Sequence, residues 1–302
     1  MLSDPWQWMK DRYHDYKAKE HIYRFQAPET TFQFHARGLG DVMILRQVGR
    51  AIESYFSSNQ DPELGHVVLS CGAMEPAFRP ERGDLNLYWW WSFGDLDDTP
   101  GQYLDHYLQK VTVEPDLVLC LSEKCQQEAQ QAGYETVYFP LGTLAFEPLG
   151  FERTGLGYAG SKSHKDTAKE ARVFGTFRES NDLEWVSQFS LPEQLNIWYN
   201  TKLITFGLHR EGQRTWGMVN NRVFETLASG TPFILESHPS VTEVLGFDYP
   251  YQTDSRAETT ELVREIQSNP AETLEEFREF SDQVREHHSY ERRMNTLIDE
   301  LL

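Results

Sequence analysis

The sequence predicts an α/β fold in two domains of similar size, each built on a parallel sheet. Three observations carry this. Short apolar runs alternate with amphipathic stretches of about ten residues, the pattern of βαβ units. The alternation breaks once, at 140–155, where PLGTLAFEPLGFERTG holds two prolines, three glycines and little periodicity, and then restarts. The chain has 302 residues, which fits two domains of about 150.

In the first half, TTFQFHA reads as a strand, 42–56 as a helix and HVVLSCG as a strand. LNLYWWW follows as a strand, 103–110 as a helix, DLVLCLS as a strand, 123–132 as a helix with Ser122 as its cap, and ETVYFPL as a closing strand. These strands are continuous apolar runs more than alternating ones, as expected of parallel strands covered on both faces. In the second half the strands are LGYAGS, VFGTF, KLITFGL and TPFILES, and the helices are 192–200, 220–229, 256–268 and 271–302, the last broken near 287–290.

Composition excludes several classes. Twenty-eight Lys and Arg against 47 Asp and Glu give a formal charge of −19, a field that repels nucleic acid and anionic membrane. The acids are spread along the chain, densest after Asp254, and read as a solvated surface. Cys71, Cys120 and Cys125 are odd in number and form no CxxC pair, against a disulfide framework or a zinc ribbon. The polar N-terminus lacks a signal peptide's apolar core, and no apolar run approaches the roughly 20 residues that span a bilayer. A cytoplasmic protein without a transmembrane segment is expected.

The informative segment is 190–237. Ser190 and Glu193 form an S-x-x-E capping box for a helix whose apolar positions include Leu195, Ile197 and Trp198. The strand KLITFGL delivers a loop at 209–218, and a helix starts near Asn220. At 100° per residue Val223 and Leu227 oppose Glu225, while Asn221, Arg222, Glu225 and Ser229 share one polar stripe. A polar stripe at a helix N-terminus suits a phosphorylated ligand, with a carboxylate further along for ribose hydroxyls. An ordinary amphipathic helix has the same spacing.

NNRVFETLASGTPFILES followed by VTEVLG resembles the nucleotide-sugar signature of GT-B glycosyltransferases, in particular the family-1-like group with spore-maturation-type proteins. The tail FREFSDQVREHHSYERRMNTLIDEL resembles the same group's ending, so the likeness runs from Leu191 to the end of the chain. It implies two Rossmann-like domains with parallel sheets facing an interdomain cleft. Residues 1–148 would bind the acceptor and 149–302 the nucleotide sugar, with the last helix packing back on the first domain. It also implies that Glu225 contacts the ribose, that Asn221 and Arg222 line the pocket, and that the Gly230–Thr231–Pro232 turn shapes it. Retaining members carry a second glutamate eight positions before the first; here that position is Gly217 and the nearest upstream acid is Glu211, which points to inversion.

In the first half GLGDV resembles the first βα loop of heptosyltransferase-type GT-B enzymes. The resemblance implies Asp41 as the general base; a plain N-cap is the bland reading, and His35, which also reads as a core histidine, is the second candidate. LGYAGSKSHKD places Ser161, Lys162 and Lys165 at a strand's carboxyl end, and Arg178 is expected to end the next strand; these are candidate diphosphate partners or solvated surface charges. LYWWWSFGDLDD combines tryptophans and acids, which suit sugar stacking or core packing. Its DLDD run imitates a metal motif, but GT-B enzymes generally use side chains and a helix dipole instead, so no metal is assigned.

The function expected is glycosyl transfer from a nucleoside-diphosphate sugar, a UDP-sugar first, to a hydroxyl of a glycan or of a modified base in DNA; the −19 charge disfavours DNA. A sugar-nucleotide epimerase of the same fold and a non-catalytic sugar-nucleotide or glycan-binding protein are the alternatives.

Overall fold

A computed structural model describes residues 20–37, 39–58, 63–71, 82–90, 104, 113–160, 167–187 and 191–301. The chain divides into two compact units, Met1–Phe139 with Met294–Leu302, and Pro140–Arg293.

Unit 1 contains β1 (Glu20–Gln26), β2 (Thr30–Arg37), α1 (Leu39–Ser58), β3 (Gly65–Cys71), β4 (Leu85–Trp90), β5 (Leu117–Cys120), α2 (Glu123–Gln131) and β6 (Thr136–Tyr138). The strands form one sheet in sequential order. From β2 to β6 every pairing is parallel, as the apolar runs predict. The edge strand β1 corrects the expectation of a purely parallel sheet: it lies antiparallel to β2, across a turn closed by Ala27 N–H donating to Thr30 O at 2.8 Å. Its residues alternate, Tyr23 and Phe25 half-buried and Arg24 and Gln26 exposed, the period of a strand with one wet face. Tyr23 holds the edge to α1 by donating to Glu53 at 2.6 Å and to Gly49 O at 3.0 Å. Gly49 is required there, since a Cβ would lie 2.6 Å from the Tyr23 ring.

Phe32, Phe34, Val67, Leu69, Leu87 and Val118 form the core with Trp89 and Trp90. Both tryptophans are fully buried, and Trp89 donates to Phe139 O at 2.9 Å. Core packing therefore replaces sugar stacking for these two; Trp91 and the DLDD run lie outside the described residues, as does the 103–110 helix apart from the buried Leu104. Ser122 caps α2 by accepting from Cys125 N–H at 3.2 Å.

Unit 2 begins with β7 (Leu156–Ala159), α3 (Thr167–Val173), α4 (Gly175–Glu179), β8 (Leu183–Val186), α5 (Pro192–Thr201) and β9 (Ile204–Gly207). It continues with α6 (Glu211–Thr215), α7 (Asn221–Ala228), β10 (Phe233–Glu236), α8 (Val241–Leu245) and β11 (Gln252–Thr253). The helices α9 (Arg256–Ser268) and α10 (Pro270–His287) follow, and α11 (Tyr290–Leu301), which belongs to unit 1 from Met294 on, closes the chain. Its sheet has the order β11-β10-β9-β7-β8 and is parallel throughout. The chain starts at β7, crosses to β8 on one side, then returns to β9 on the other. The topological switch point therefore falls between β7 and β9, where open α/β sheets bind ligands beyond the strands' carboxyl ends.

Two expectations are corrected here. VFGTF is helical: Val173 ends α3 and 175–177 begin α4, while the strand is LEWV, later in the chain. Buried Phe174, at the junction of the two helices, and half-buried Phe177 both pack on Phe206, an i, i+3 pair that a strand cannot present on one side. On α5 the buried face is Leu195, Trp198 and Tyr199, and Ile197 is 48% exposed. The helix takes Leu191 as N-cap, and Ser190 lies outside the described residues. The expected break in the last helix is present. Between α10 and α11, Ser289 pairs with Thr143, whose N–H donates to His288 O at 3.1 Å and whose carbonyl accepts from Tyr290 N–H at 2.9 Å. No helix among the described residues is long and apolar enough to cross a membrane.

Candidate functional site

The carboxyl ends of β7 and β9 and the start of α7 meet at the switch point of the second sheet. Asn220 caps α7, its Oδ1 accepting from Arg222 N–H at 3.1 Å while its Nδ2 donates to Leu208 O at 3.0 Å. One side chain thus ties the helix start to the end of β9. Val223 and Leu227 are fully buried, as the helical spacing predicts, but burial extends over the whole run Val223–Ala228, the polar side included. Glu225 is only 1% exposed, and its Oε1 accepts from Asn221 Nδ2 at 3.0 Å. Burial, and after it the Glu225 charge, pushes the Tyr199 phenol above its ordinary range.

Most cations here are neutralised internally. Glu236, at the end of β10, is buried, and Arg214, Arg172 and Lys169 approach it at 3.1, 3.5 and 3.7 Å. Lys169 also meets Glu211 at 2.9 Å and donates to His209 O at 3.2 Å. Arg178 pairs with Glu170 at 2.6 Å and stacks on Trp185; it sits in α4, so its expected place at a strand end is corrected. Arg222 differs. Its half-buried guanidinium lies over the Tyr158 ring, 5.7 Å from the centroid, and among the described residues meets neither a carboxylate nor a hydrogen-bond acceptor.

Two imidazoles complete the floor. His209 Nε2 accepts from Asn220 N–H at 3.3 Å, and His238 Nδ1 accepts from Ser240 N–H at 3.2 Å. The ring centroids lie 4.2 Å apart, with the planes tilted by 46°. Burial, followed by the neighbouring His238 and cations, holds His209 well below the usual histidine range; burial brings His238 down to about 4. Both are neutral at pH 7.

The end of α7 is tied inward. Ser229 Oγ donates to Thr226 O at 2.7 Å, and Thr231 Oγ1 donates to Tyr199 O at 3.0 Å. Both hydroxyls are fully buried, so Ser229 belongs to the interior and not to the stripe. Arg153, from the segment before β7, donates to Thr231 Oγ1, to Asn200 Oδ1 and to the Ser229 and Tyr199 carbonyls at 2.6–3.0 Å. Gly230, φ +63°, makes the left-handed turn that ends α7, and Gly217, φ +68°, makes the one after α6.

Ser161, Lys162, Lys165 and Gly38 lie outside the described residues. Asp41 is the third residue of α1, which starts at Leu39, so an N-cap role is not what the backbone shows; its side chain is outside the described set. His35 sits late in β2, buried, with Nε2 3.3 Å from Gln33 Oε1. The residues that sequence reading missed are Tyr158, Tyr199, His209, Lys169, Arg172, Arg214, Glu236 and His238. LHR after a strand and the final acid of FILES were the available signals, since both fall at strand carboxyl ends. Among the described residues no cluster of three or more His, Cys, Asp or Glu is arranged to hold a metal ion.

Residues 162–299 match the family model described as glycosyl transferase-like. The match takes in α7, the cation cluster and all three terminal helices, a little under half of the chain. No curated protein sequence matches. Solved structures with a similar course include TarM, at 10% identity and TM-score 0.49, over 84% of this chain and 58% of TarM, so the chain spans less than two thirds of that protein. T4 phage BGT, solved with its UDP-glucose substrate, has 13% identity and TM-score 0.49 over 78% of this chain and 82% of its own. A UDP-forming α,α-trehalose-phosphate synthase from Burkholderia xenovorans has 10% identity and TM-score 0.49 over 93% and 89%.

Proposed function

We propose that the protein is a glycosyltransferase that moves a sugar from a nucleoside-diphosphate sugar, a UDP-sugar first, to an acceptor hydroxyl. The observation that carries this is the pair on α7: a buried carboxylate, Glu225, and a guanidinium, Arg222, that meets no carboxylate among the described residues, beside the switch point and within the segment similar to glycosyl transferases. Glu225 accepts hydrogen bonds from the ribose hydroxyls, and Asn221 fixes its rotamer. Arg222 and the α7 N-terminus meet the diphosphate, favoured by the helix dipole. Lys162 and Ser161, which follow β7 in the sequence, add phosphate contacts, and Gly217 and Gly230 make the turns after α6 and α7.

In the reaction, the acceptor oxygen bonds to the anomeric carbon as the bond to the diphosphate oxygen breaks. The electron pair leaves with the nucleoside diphosphate, whose charge the cations stabilise, and the acceptor's proton passes to Asp41. A single displacement inverts the anomeric centre. The −19 charge supports a glycan or small-molecule acceptor over DNA.

A thermal-shift panel of UDP, ADP, GDP and their sugar conjugates tests the donor. A ligand at a hundredfold excess over its Kd stabilises the fold by about 2.7 kcal/mol, which a melting curve resolves. A panel in which no nucleotide raises the unfolding temperature defeats the reading.

A further inference from the structure

Tyr158 has no place in the reading so far, yet its ring is the surface on which Arg222 rests. Three contacts immobilise it. Phe174 lies 4.7 Å away, centroid to centroid, and Trp185 packs edge-on at 5.0 Å. Trp185 Nε1 donates to Gly160 O at 2.9 Å, joining the carboxyl ends of the two strands. At Gly160 the backbone runs so close to the ring that a Cβ would sit 2.6 Å from the Tyr158 hydroxyl oxygen. Tyr158 is thus a fixed plate at the switch point, with one face turned to Arg222.

An arginine side chain carries about 2 kcal/mol of rotamer entropy, and ordering it when a ligand arrives weakens binding. Other buried or half-buried cations of this unit are held by oxygen or nitrogen acceptors: Arg153 by carbonyls, Lys169 and Arg214 by Glu236, Lys202 by Glu184, Arg293 by His288. Such partners fix a cation but also consume its charge and its donors. An aromatic face orients a guanidinium while leaving its N–H donors, which lie in the plane of the group, for a ligand.

We propose that Tyr158 is a positioning residue, an aromatic platform that preorganises Arg222 for the diphosphate of the donor. This rests on the donor reading above. It assigns Tyr158 no contact with the ligand; its effect passes through Arg222 and is confined to phosphate.

The test is calorimetric titration of UDP and of uridine into the wild type, Tyr158→Phe, Tyr158→Leu, and each change combined with Arg222→Ala. Tyr158→Phe keeps the ring and is expected to bind UDP within twofold of wild type. Tyr158→Leu is expected to lose UDP affinity by about three- to tenfold, the range of a partly exposed cation–π contact, with uridine unchanged. In the Arg222→Ala background the same change should cost nothing further. Should Tyr158→Leu fail to fold, pentafluorophenylalanine at position 158 keeps the shape and reverses the ring's charge distribution; it should weaken UDP while sparing uridine. Equal losses for UDP and uridine, an undiminished loss without Arg222, or a fluorinated ring that binds UDP normally would overturn the proposal. Wild-type protein that binds no nucleoside diphosphate removes the donor reading itself, whereas normal wild-type binding with a flat Tyr158 series removes this inference alone.

Discussion

Arg153 Nη2 donates to the Ser229 carbonyl at 2.9 Å, joining the segment before β7 to the last turn of the helix that bears Glu225. The same guanidinium bonds the Tyr199 carbonyl, near the end of α5. A single half-buried cation therefore satisfies backbone oxygens at two helix C-termini, where the dipoles favour positive charge. Desolvation lowers its pKa to about 10, so it stays protonated at neutral pH.

Arg153→Met should destabilise unit 2 by at least about 3 kcal/mol, because several buried acceptors lose their donor together. Urea unfolding followed by circular dichroism measures this. A shift below about 1 kcal/mol would mean that water replaces the guanidinium without penalty.

The buried histidines predict a pH dependence. His238 and His288 titrate at about 4 in the folded chain, and His209 well below its ordinary value, in each case chiefly through burial. The unfolded chain takes up these protons near pH 6.5, so between 6.5 and 4 it binds protons that the native state does not. Stability is therefore full above pH 6.5, falls as pH drops, and levels out below 4 for His238 and His288. Each unit of separation is worth about 1.4 kcal/mol per histidine. His288→Gln, which keeps an amide donor for Leu245 O, should flatten the fall in urea midpoint between pH 7 and pH 4.5. A wild-type midpoint constant across that range would contradict the assignment.

Asp41→Asn tests the base. The amide keeps the shape but cannot take a proton, so turnover should fall by about 10²–10⁴ with donor affinity within about twofold. Proton NMR of fresh product should show an inverted anomeric centre. Normal turnover in the variant would remove Asp41 as the base, and a retained configuration would remove direct displacement.

What was legible in the sequence follows its physics. Helices α5 and α9 could be read because their buried faces repeat at helical spacing, α7 from the spacing of Val223 and Leu227 although its whole run Val223–Ala228 is buried, and β7, β9 and β10 because they are short apolar runs. The edge strand β1 escaped notice because over 23–26 half-buried Tyr23 and Phe25 alternate with exposed Arg24 and Gln26, which gives no apolar run. VFGTF misled because consecutive apolar residues suit a buried strand and one helix face alike. At the site, Glu225 and Asn221 were legible one turn apart on a single helix. Tyr158, Glu236 and His238 were not, because they meet α7 only through the strand order β10-β9-β7, and local spacing carries no information about strand order. Thr231 was read as lining a pocket, but an arginine before β7, about 80 residues upstream in the chain, claims its hydroxyl.

The central claim is that α7 holds a nucleotide through Glu225. Calorimetric titration of UDP into wild type and Glu225→Ala tests it most directly, with melting curves of both to confirm folding. Loss of charge-assisted bonds to two ribose hydroxyls should cost about 2–4 kcal/mol, a Kd rise of roughly thirty- to a thousandfold. Equal UDP affinity in two equally folded proteins would contradict the account.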